Sequence, residues 1–221
     1  MRAVVFDLDG VLVDSEHLWD RARRELVAER GGRWRAGATQ DMMGMSSPEW
    51  SRYLHDELGV ELEPAEISAD VVFRLEVLYR EKLPLFPGAR EAVLAAAERW
   101  PLGLASSANR EIIDLVLELA ELQDAFAATV SSEEVARGKP APDVYLEAAR
   151  RLGVAAADCA AVEDSSNGLR SAAAAGMTVV ALPNPRFPPD ADALALATVV
   201  IGSLDELEPV LRSLYTDHTA R

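Results

Sequence analysis

The run Ala3-Val4-Val5-Phe6-Asp7-Leu8-Asp9-Gly10-Val11-Leu12-Val13-Asp14-Ser15-Glu16 decides how the rest of the chain is read. Its apolar opening, with β-branched and aromatic side chains, predicts a buried strand, and two carboxylates and a glycine stand at the carboxyl end of that strand. A lone Asp-Gly is ordinary turn punctuation. Here the pattern is longer: apolar strand, Asp-x-Asp-Gly, apolar triplet, Asp-Ser. Carboxylates are rarely buried unless paired or bound to a metal, so Asp7, placed where the strand is still enclosed, requires a compensating positive charge.

Outward from this run the period changes. Leu18, Ala22 and Leu26 are spaced by four along one helix face that ends at Gly31-Gly32. Ser46-Ser47-Pro48-Glu49 has capping-box spacing with a proline near the first helical position. A further helix starts near Pro64 and carries Ile67, Val71, Leu75, Leu78 and Tyr79 on a broad apolar stripe. Three or four consecutive helices with no strand between them predict a separate α-helical unit. Past Pro87-Gly88 strands and helices alternate, with strands expected near 102–105, 126–130, 159–162, 178–182 and 198–201. A short helix is expected from Ser131, which has capping-box spacing to Glu134, as far as Gly138, and a frayed tail at 216–221. Alternation of this kind implies a parallel sheet with helices on both faces. The expected fold is therefore α/β: a doubly wound, Rossmann-like parallel-sheet core, residues 1–14 and 84–221, with an inserted α-helical cap domain, residues 15–83.

Composition narrows the function. The 221 residues are 49% hydrophobic, enough for a sizeable core, and the formal net charge is −15. Such a charge argues against nucleic acid, whose binding rests on Lys and Arg neutralising phosphates, and against an anionic membrane surface. No apolar stretch approaches the ~20 residues that span a bilayer, and no basic and apolar leader precedes the first strand, so a cytoplasmic protein is expected. The single Cys159 sits in an apolar run and reads as a buried small hydrophobe. A small phosphate ester is an acceptable partner only if a local cation overrides the acidic background.

In open α/β sheets ligands bind beyond the carboxyl ends of the strands. The polar residues directly after apolar runs are Asp7 and Asp9, Ser106 and Ser107, and Glu163 and Asp164. Each alone is an ordinary turn or N-cap residue. Lys139, in Arg137-Gly138-Lys139-Pro140-Ala141-Pro142-Asp143, is alone a solvated loop charge, but beside these carboxylates it is the cation that a phosphate site needs. With Leu104-Ala105-Ser106-Ser107-Ala108-Asn109 as a second motif, Lys139 as a third and Val162-Glu163-Asp164-Ser165-Ser166-Asn167-Gly168 as a fourth, the chain resembles the haloacid dehalogenase superfamily. The likeness is to members with a helical cap inserted after the first motif, the sugar phosphatases and β-phosphoglucomutases. It extends over essentially the whole chain, with all four motifs in order.

The resemblance implies that Asp7 is a nucleophile forming an aspartyl-phosphate, and that Asp9 protonates the leaving alcohol and then activates water. It further implies Mg²⁺ held by Asp7, Asp164 and the backbone carbonyl of Asp9, with Glu163 either a direct ligand or placed behind one. A divalent cation is also a physical requirement, because four carboxylates around one lysine would repel a phosphate dianion. Ser106, Ser107 and Lys139 would bind phosphoryl oxygens, and neighbouring carboxylates should push the pKa of Asp9 upward. Asn109 and His17 are substrate-side candidates, though His17 reads first as a solvated helix position. His55 and His218 read as surface residues, Trp19 as aromatic cap core, and Met42, Met43 and Met45 as flexible packing.

The expected function is a Mg²⁺-dependent phosphatase, a monomer or weak homodimer, hydrolysing a small phosphorylated metabolite. The Asp14-Ser15-Glu16-His17-Leu18-Trp19 run resembles that of hexitol and hexose phosphate phosphatases. A β-phosphoglucomutase-type isomerase shares the four motifs, but those relatives place a basic residue directly after a cap Gly-x-Ser. Here Ser47 and Pro48 follow Gly44-Met45-Ser46, which favours the hydrolase. A catalytically silent binding module is disfavoured by intact Asp7, Asp9, Lys139 and Asp164.

Overall fold

A computed structural model describes residues 1–219, with side chains through Tyr215. The chain opens with β1 (Ala3–Phe6), every residue of which is buried. Four helices follow with no strand among them: α1 (Glu16–Glu29), α2 (Ala38–Met42), α3 (Ser47–Asp56) and α4 (Pro64–Glu81). Strands and helices then alternate through α5 (Ala89–Ala97), β2 (Leu102–Ser106), α6 (Arg110–Leu119), β3 (Phe126–Ser131), α7 (Asp143–Leu152) and β4 (Cys159–Glu163). The chain continues with α8 (Ser166–Ala174), β5 (Thr178–Ala181), α9 (Ala191–Leu194), β6 (Val199–Val200) and α10 (Leu207–Thr219).

The six strands form one parallel sheet in the order β3-β2-β1-β4-β5-β6. β1 is central: Val4 pairs with Leu102 on one side and with Ala160 on the other. The strands are continuous apolar runs because helices cover both faces. Alternation along β1 sends Val4 and Phe6 into one apolar cluster and Ala3 and Val5 into the other. The second cluster is rich in alanine, with Ala148 and Ala149 of α7, Ala161 of β4 and Ala172 of α8, so these helices lie close on the sheet. The first is continuous with the helical insertion, since Trp19, Leu26, Trp50 and Leu75 belong to it. This is the expected doubly wound α/β architecture.

The insertion leaves and rejoins the core at one place. Val13 and Leu85 form an antiparallel bridge, and the Asp14 N–H donates to the Pro84 carbonyl at 2.8 Å. The capping box expected at Ser46 is present, with the Glu49 carboxylate accepting from the Ser46 N–H at 2.8 Å.

α2 makes the fourth of the three or four helices expected, although five residues are too few to display a helical period. Two expectations are corrected. The helix expected between Ser131 and Gly138 is a single 3-10 turn, Ser132–Glu134. Its cap is the predicted one, but the chain then extends at Val135 toward Lys139. Finally, α10 runs through Thr219, into the stretch expected to fray, while residues 220 and 221 and the side chain of His218 lie outside the described residues.

Candidate active site

The strand order reverses direction between β1 and β4, and the first and fourth motifs stand at the carboxyl ends of these two neighbours. Gly10 allows the close approach. Its φ of +81° suits a residue without a Cβ, and a Cβ there would lie 2.0 Å from an Asp164 carboxylate oxygen. Asp7 and Asp164 are each 6% exposed and Glu163 is fully buried, and ligating oxygens of the three lie within 4.8 Å of one another.

Lys139 reaches this cluster from the loop after β3 and is itself buried. Its Nζ donates to Asp7 Oδ1 at 2.8 Å and to Glu163 Oε1 at 2.6 Å. Burial alone would depress the lysine pKa, but the two carboxylates more than offset it and hold the ammonium above its ordinary value. Glu163 is saturated. The Tyr145 hydroxyl donates to Oε1 at 3.0 Å, and Oε2 accepts from the Asp164 N–H, the Ser165 N–H and the Ser165 hydroxyl. Such a carboxylate orients the lysine and has no lone pair turned outward to spare. Among the described residues, by contrast, no donor reaches the Asp164 carboxylate, and Oδ2 of Asp7 accepts nothing.

Burial raises the pKa of Asp164 well above the usual carboxylate range, with Glu163 and Asp7 adding repulsion, and burial likewise raises that of Asp7. Two buried carboxylates with uncommitted oxygens fit a hard divalent cation, which would reverse both causes at once. Asp9 is held differently: its Oδ1 accepts from Ser15 Oγ at 2.5 Å and from the Trp19 indole N–H at 3.2 Å. Its pKa is raised, as expected, but by burial, which the two donors oppose. Neighbouring carboxylates, the expected cause, are not what moves it.

The site opens into a cavity of about 60 Å³ between core and insertion. That is space for a handful of waters, or little more than a phosphoryl group. Its core wall includes Asp7, Asp9, Lys139 and Asp164 together with Ser107 and Ala108. Ser106 sits behind that wall, fully buried, with its Oγ accepting the Ala108 N–H at 3.0 Å. Asn109 does not line the cavity. Its amide clasps insertion to core, accepting from Ser47 Oγ at 2.7 Å while its Nδ2 donates to Ser68 Oγ at 3.3 Å and to Glu133 at 2.8 Å. His17 is not brought to the cavity either: it is exposed and lines a separate surface cleft with Leu83 and Pro84. His55 contacts the Leu62 carbonyl near the surface.

The insertion wall was largely unread. Trp19 is a hydrogen-bond donor to Asp9 besides being core, and Met42, Met43 and Met45 line the cavity. Glu16 and Arg23, from α1, line it as well. Burial pushes Glu16 up to about 7, Arg23 opposing and Asp9 adding to the shift. The buried face of α1 is Trp19, Ala22, Arg23, Leu26 and Val27, so the apolar stripe expected from Leu18 is rotated toward Trp19. An arginine inside a buried stripe was the available signal.

A parallel α/β sheet whose switch point carries this acidic cluster and its lysine defines a class before any particular relative is considered. The chain belongs to the haloacid dehalogenase-like hydrolase family, whose model matches residues 1–176, and it is a phosphatase of that family. Among its relatives, Hexitol phosphatase B of Escherichia coli (strain K12) is 37% identical over 217 residues, covering 93% of each chain. A probable pseudouridine-5'-phosphatase of Drosophila melanogaster is 32% identical over 212 residues, covering 93% of this chain and 90% of that one. The crystal structure of CbbY from Rhodobacter sphaeroides in complex with phosphate is 28% identical with a TM-score of 0.83, covering 94% of this chain and 96% of that one. Among the described residues no helix is long and apolar enough to cross a membrane.

Proposed function

We propose that the chain hydrolyses the phosphate monoester of a small metabolite through an aspartyl-phosphate on Asp7. The observation that carries this reading is the pairing of Asp7 with Lys139 beside the uncommitted carboxylate of Asp164. Asp7 Oδ2, the one Asp7 oxygen without a donor, is the attacking atom, and Lys139 neutralises charge on the phosphoryl oxygens as the bond forms. Asp9, whose pKa burial raises, gives its proton to the departing alkoxide and then takes one from the water that attacks phosphorus in the second step. Ser15 and Trp19 fix the oxygen that does not transfer the proton. Ser107 and Ala108 line the phosphoryl pocket, with Ser106 holding that turn through the Ala108 N–H. Mg²⁺, bound by Asp7, Asp164 and the backbone carbonyl of Asp9, would screen the carboxylates from the incoming dianion. Glu163 acts through Lys139 and does not bind the metal.

Residues 15–83 serve as a cap. Their two adjacent connections, bridged at Val13 and Leu85, form a double hinge, and a cavity of about 60 Å³ must open to admit a substrate of several carbons. The test uses p-nitrophenyl phosphate, whose leaving group needs no protonation. With Mg²⁺, Asp9→Asn should release one equivalent of nitrophenol in a burst and gain the mass of one phosphoryl group on the peptide containing Asp7. Chelation should abolish the burst. A burst without added mass, or turnover in excess chelator, would refute the mechanism.

The isomerase relatives place their grip on the distal phosphate directly after the cap Gly-x-Ser. At the position where those relatives carry a basic residue this chain has Ser47, whose hydroxyl is committed to Asn109.

A further inference from the structure

Arginine is among the most expensive side chains to bury, and buried arginines are normally paired with carboxylates. Arg23 is 7% exposed, its Nε has no hydrogen-bond partner, and among the described residues no carboxylate lies within ion-pair distance of it. Its guanidinium lies over two indole rings instead, 4.8 Å from the centroid of Trp19 and 4.9 Å from that of Trp50. Aromatic faces hold the plane of a guanidinium but satisfy none of the N–H groups around its edge. The side chain is therefore oriented while its donors stay uncommitted, and it lines the cavity that also holds Asp7, Asp164 and Lys139. Burial lowers its pKa only to about 10, so it is a cation at neutral pH. The nearby carboxylate that could compensate it, Glu16, is itself drawn toward neutrality by burial.

We propose that Arg23 is the specificity residue of the cap and grips a second anionic oxyacid group, carboxylate or phosphate, at the end of the substrate away from the transferred phosphoryl group. This deepens the phosphatase reading and rests on it for the location of the transferred group. The substrate class becomes small phosphate monoesters with an anionic tail. The tail supplies the charge partner that the protein withholds, and the planar fork matches the two oxygens of a carboxylate or phosphate. A neutral polyol tail would leave the guanidinium unpaired.

Matched substrate pairs test this: glycerol 3-phosphate against 3-phosphoglycerate for a carboxylate tail, and glucose 1-phosphate against glucose 1,6-bisphosphate for a phosphate tail. Phosphate release is followed in the wild type, Arg23→Gln and Arg23→Lys. In at least one pair the wild type should favour the anionic member by about 10- to 100-fold in kcat/KM, as charge-assisted hydrogen bonds allow. Arg23→Gln should bring that ratio close to one, and Arg23→Lys, with charge but no fork, should fall between. The pair that discriminates identifies the tail. Ratios at or below one in both wild-type pairs, or a ratio unchanged by Arg23→Gln, would overturn the proposal. If the wild type released no phosphate from any compound, including p-nitrophenyl phosphate, the phosphatase reading would fail by itself. Calorimetric affinities of the same pairs for wild type and Arg23→Gln would then decide the role of Arg23 by the same ratios. Circular dichroism on each variant establishes that it is folded, and Arg23→Lys carries the comparison should Arg23→Gln not be.

Discussion

The two walls of the cavity are built on opposite plans. On the core wall, Lys139, Glu163, Tyr145 and Ser165 fill one another's hydrogen-bonding positions almost completely, leaving oxygens of Asp7 and Asp164 turned outward. On the cap wall, Arg23 has aromatic faces against it and no acceptor, Glu16 has no fixed donor, and methionines make up much of the remainder. A closed network of that kind fixes a nucleophile to a fraction of an ångström, which transfer chemistry requires and which a varied set of substrates does not disturb. Polarizable, loosely bonded side chains adapt instead to what is bound. On the proposed reading, chemistry is preorganised on the sheet, while choice of substrate is left to one helix face.

The contrast can be broken at several points. The largest effect belongs to the attacking atom: Asp7→Asn should lower phosphate release by at least about 10⁴-fold, measured under Mg²⁺ saturation, and near-normal turnover would remove Asp7 from its role. Asp9→Asn should cost about 10²- to 10⁴-fold on alkyl phosphates, with a smaller loss in the formation of the phosphoenzyme from aryl phosphates. Stability should divide the two walls as well. Lys139→Ala leaves Asp7 and Glu163 buried without their cation and should cost about 3–5 kcal/mol in urea unfolding. Arg23→Met removes a charge that was never paired and should be neutral or stabilising within about 1 kcal/mol. Similar losses for both would mean that the cap arginine is as structurally embedded as the core lysine. An intermediate effect is expected at the clasp between the walls: Asn109→Ala should cost about 1–3 kcal/mol, read as a shift in the urea midpoint, because Ser47 and Glu133 lose a buried partner.

Much of the core wall was legible in the sequence because its carboxylates and its serine follow apolar runs of the sheet: Asp7 after β1, Ser107 after β2, Glu163 and Asp164 at the end of β4. A parallel sheet brings such positions together wherever they stand along the chain. Lys139 was legible only in company, since nothing local separates it from a loop lysine. The cap wall follows no such rule. Whether Arg23 points inward depends on the rotation of α1, and a stripe begun at Leu18 instead of Trp19 turns the arginine outward. Asn109 misleads for a related reason: it sits beside a cavity-lining turn, but Ser47 and Ser68, contributed by α3 and α4, claim its amide. That claim is tertiary and leaves no mark in the second motif itself.

The central place of β1 also has a consequence in time. The strand is synthesised well before its neighbours in the sheet, which begin at Leu102 and Cys159. At roughly 5–20 residues per second, it waits about 5–20 s for the first neighbour and about 8–30 s for the second. Throughout that interval the growing chain presents a bare apolar strand with both backbone edges open, the kind of segment that pairs with a copy of itself. Arg2 on one side and Asp7 and Asp9 on the other are charges at its ends, and charges so placed oppose such pairing. Ribosome-released fragments ending before residue 102 should therefore precipitate more readily with Asp7→Val and Asp9→Val than without. On this reading the carboxylates proposed to meet the phosphate ester would act earlier as guards of an unfinished fold.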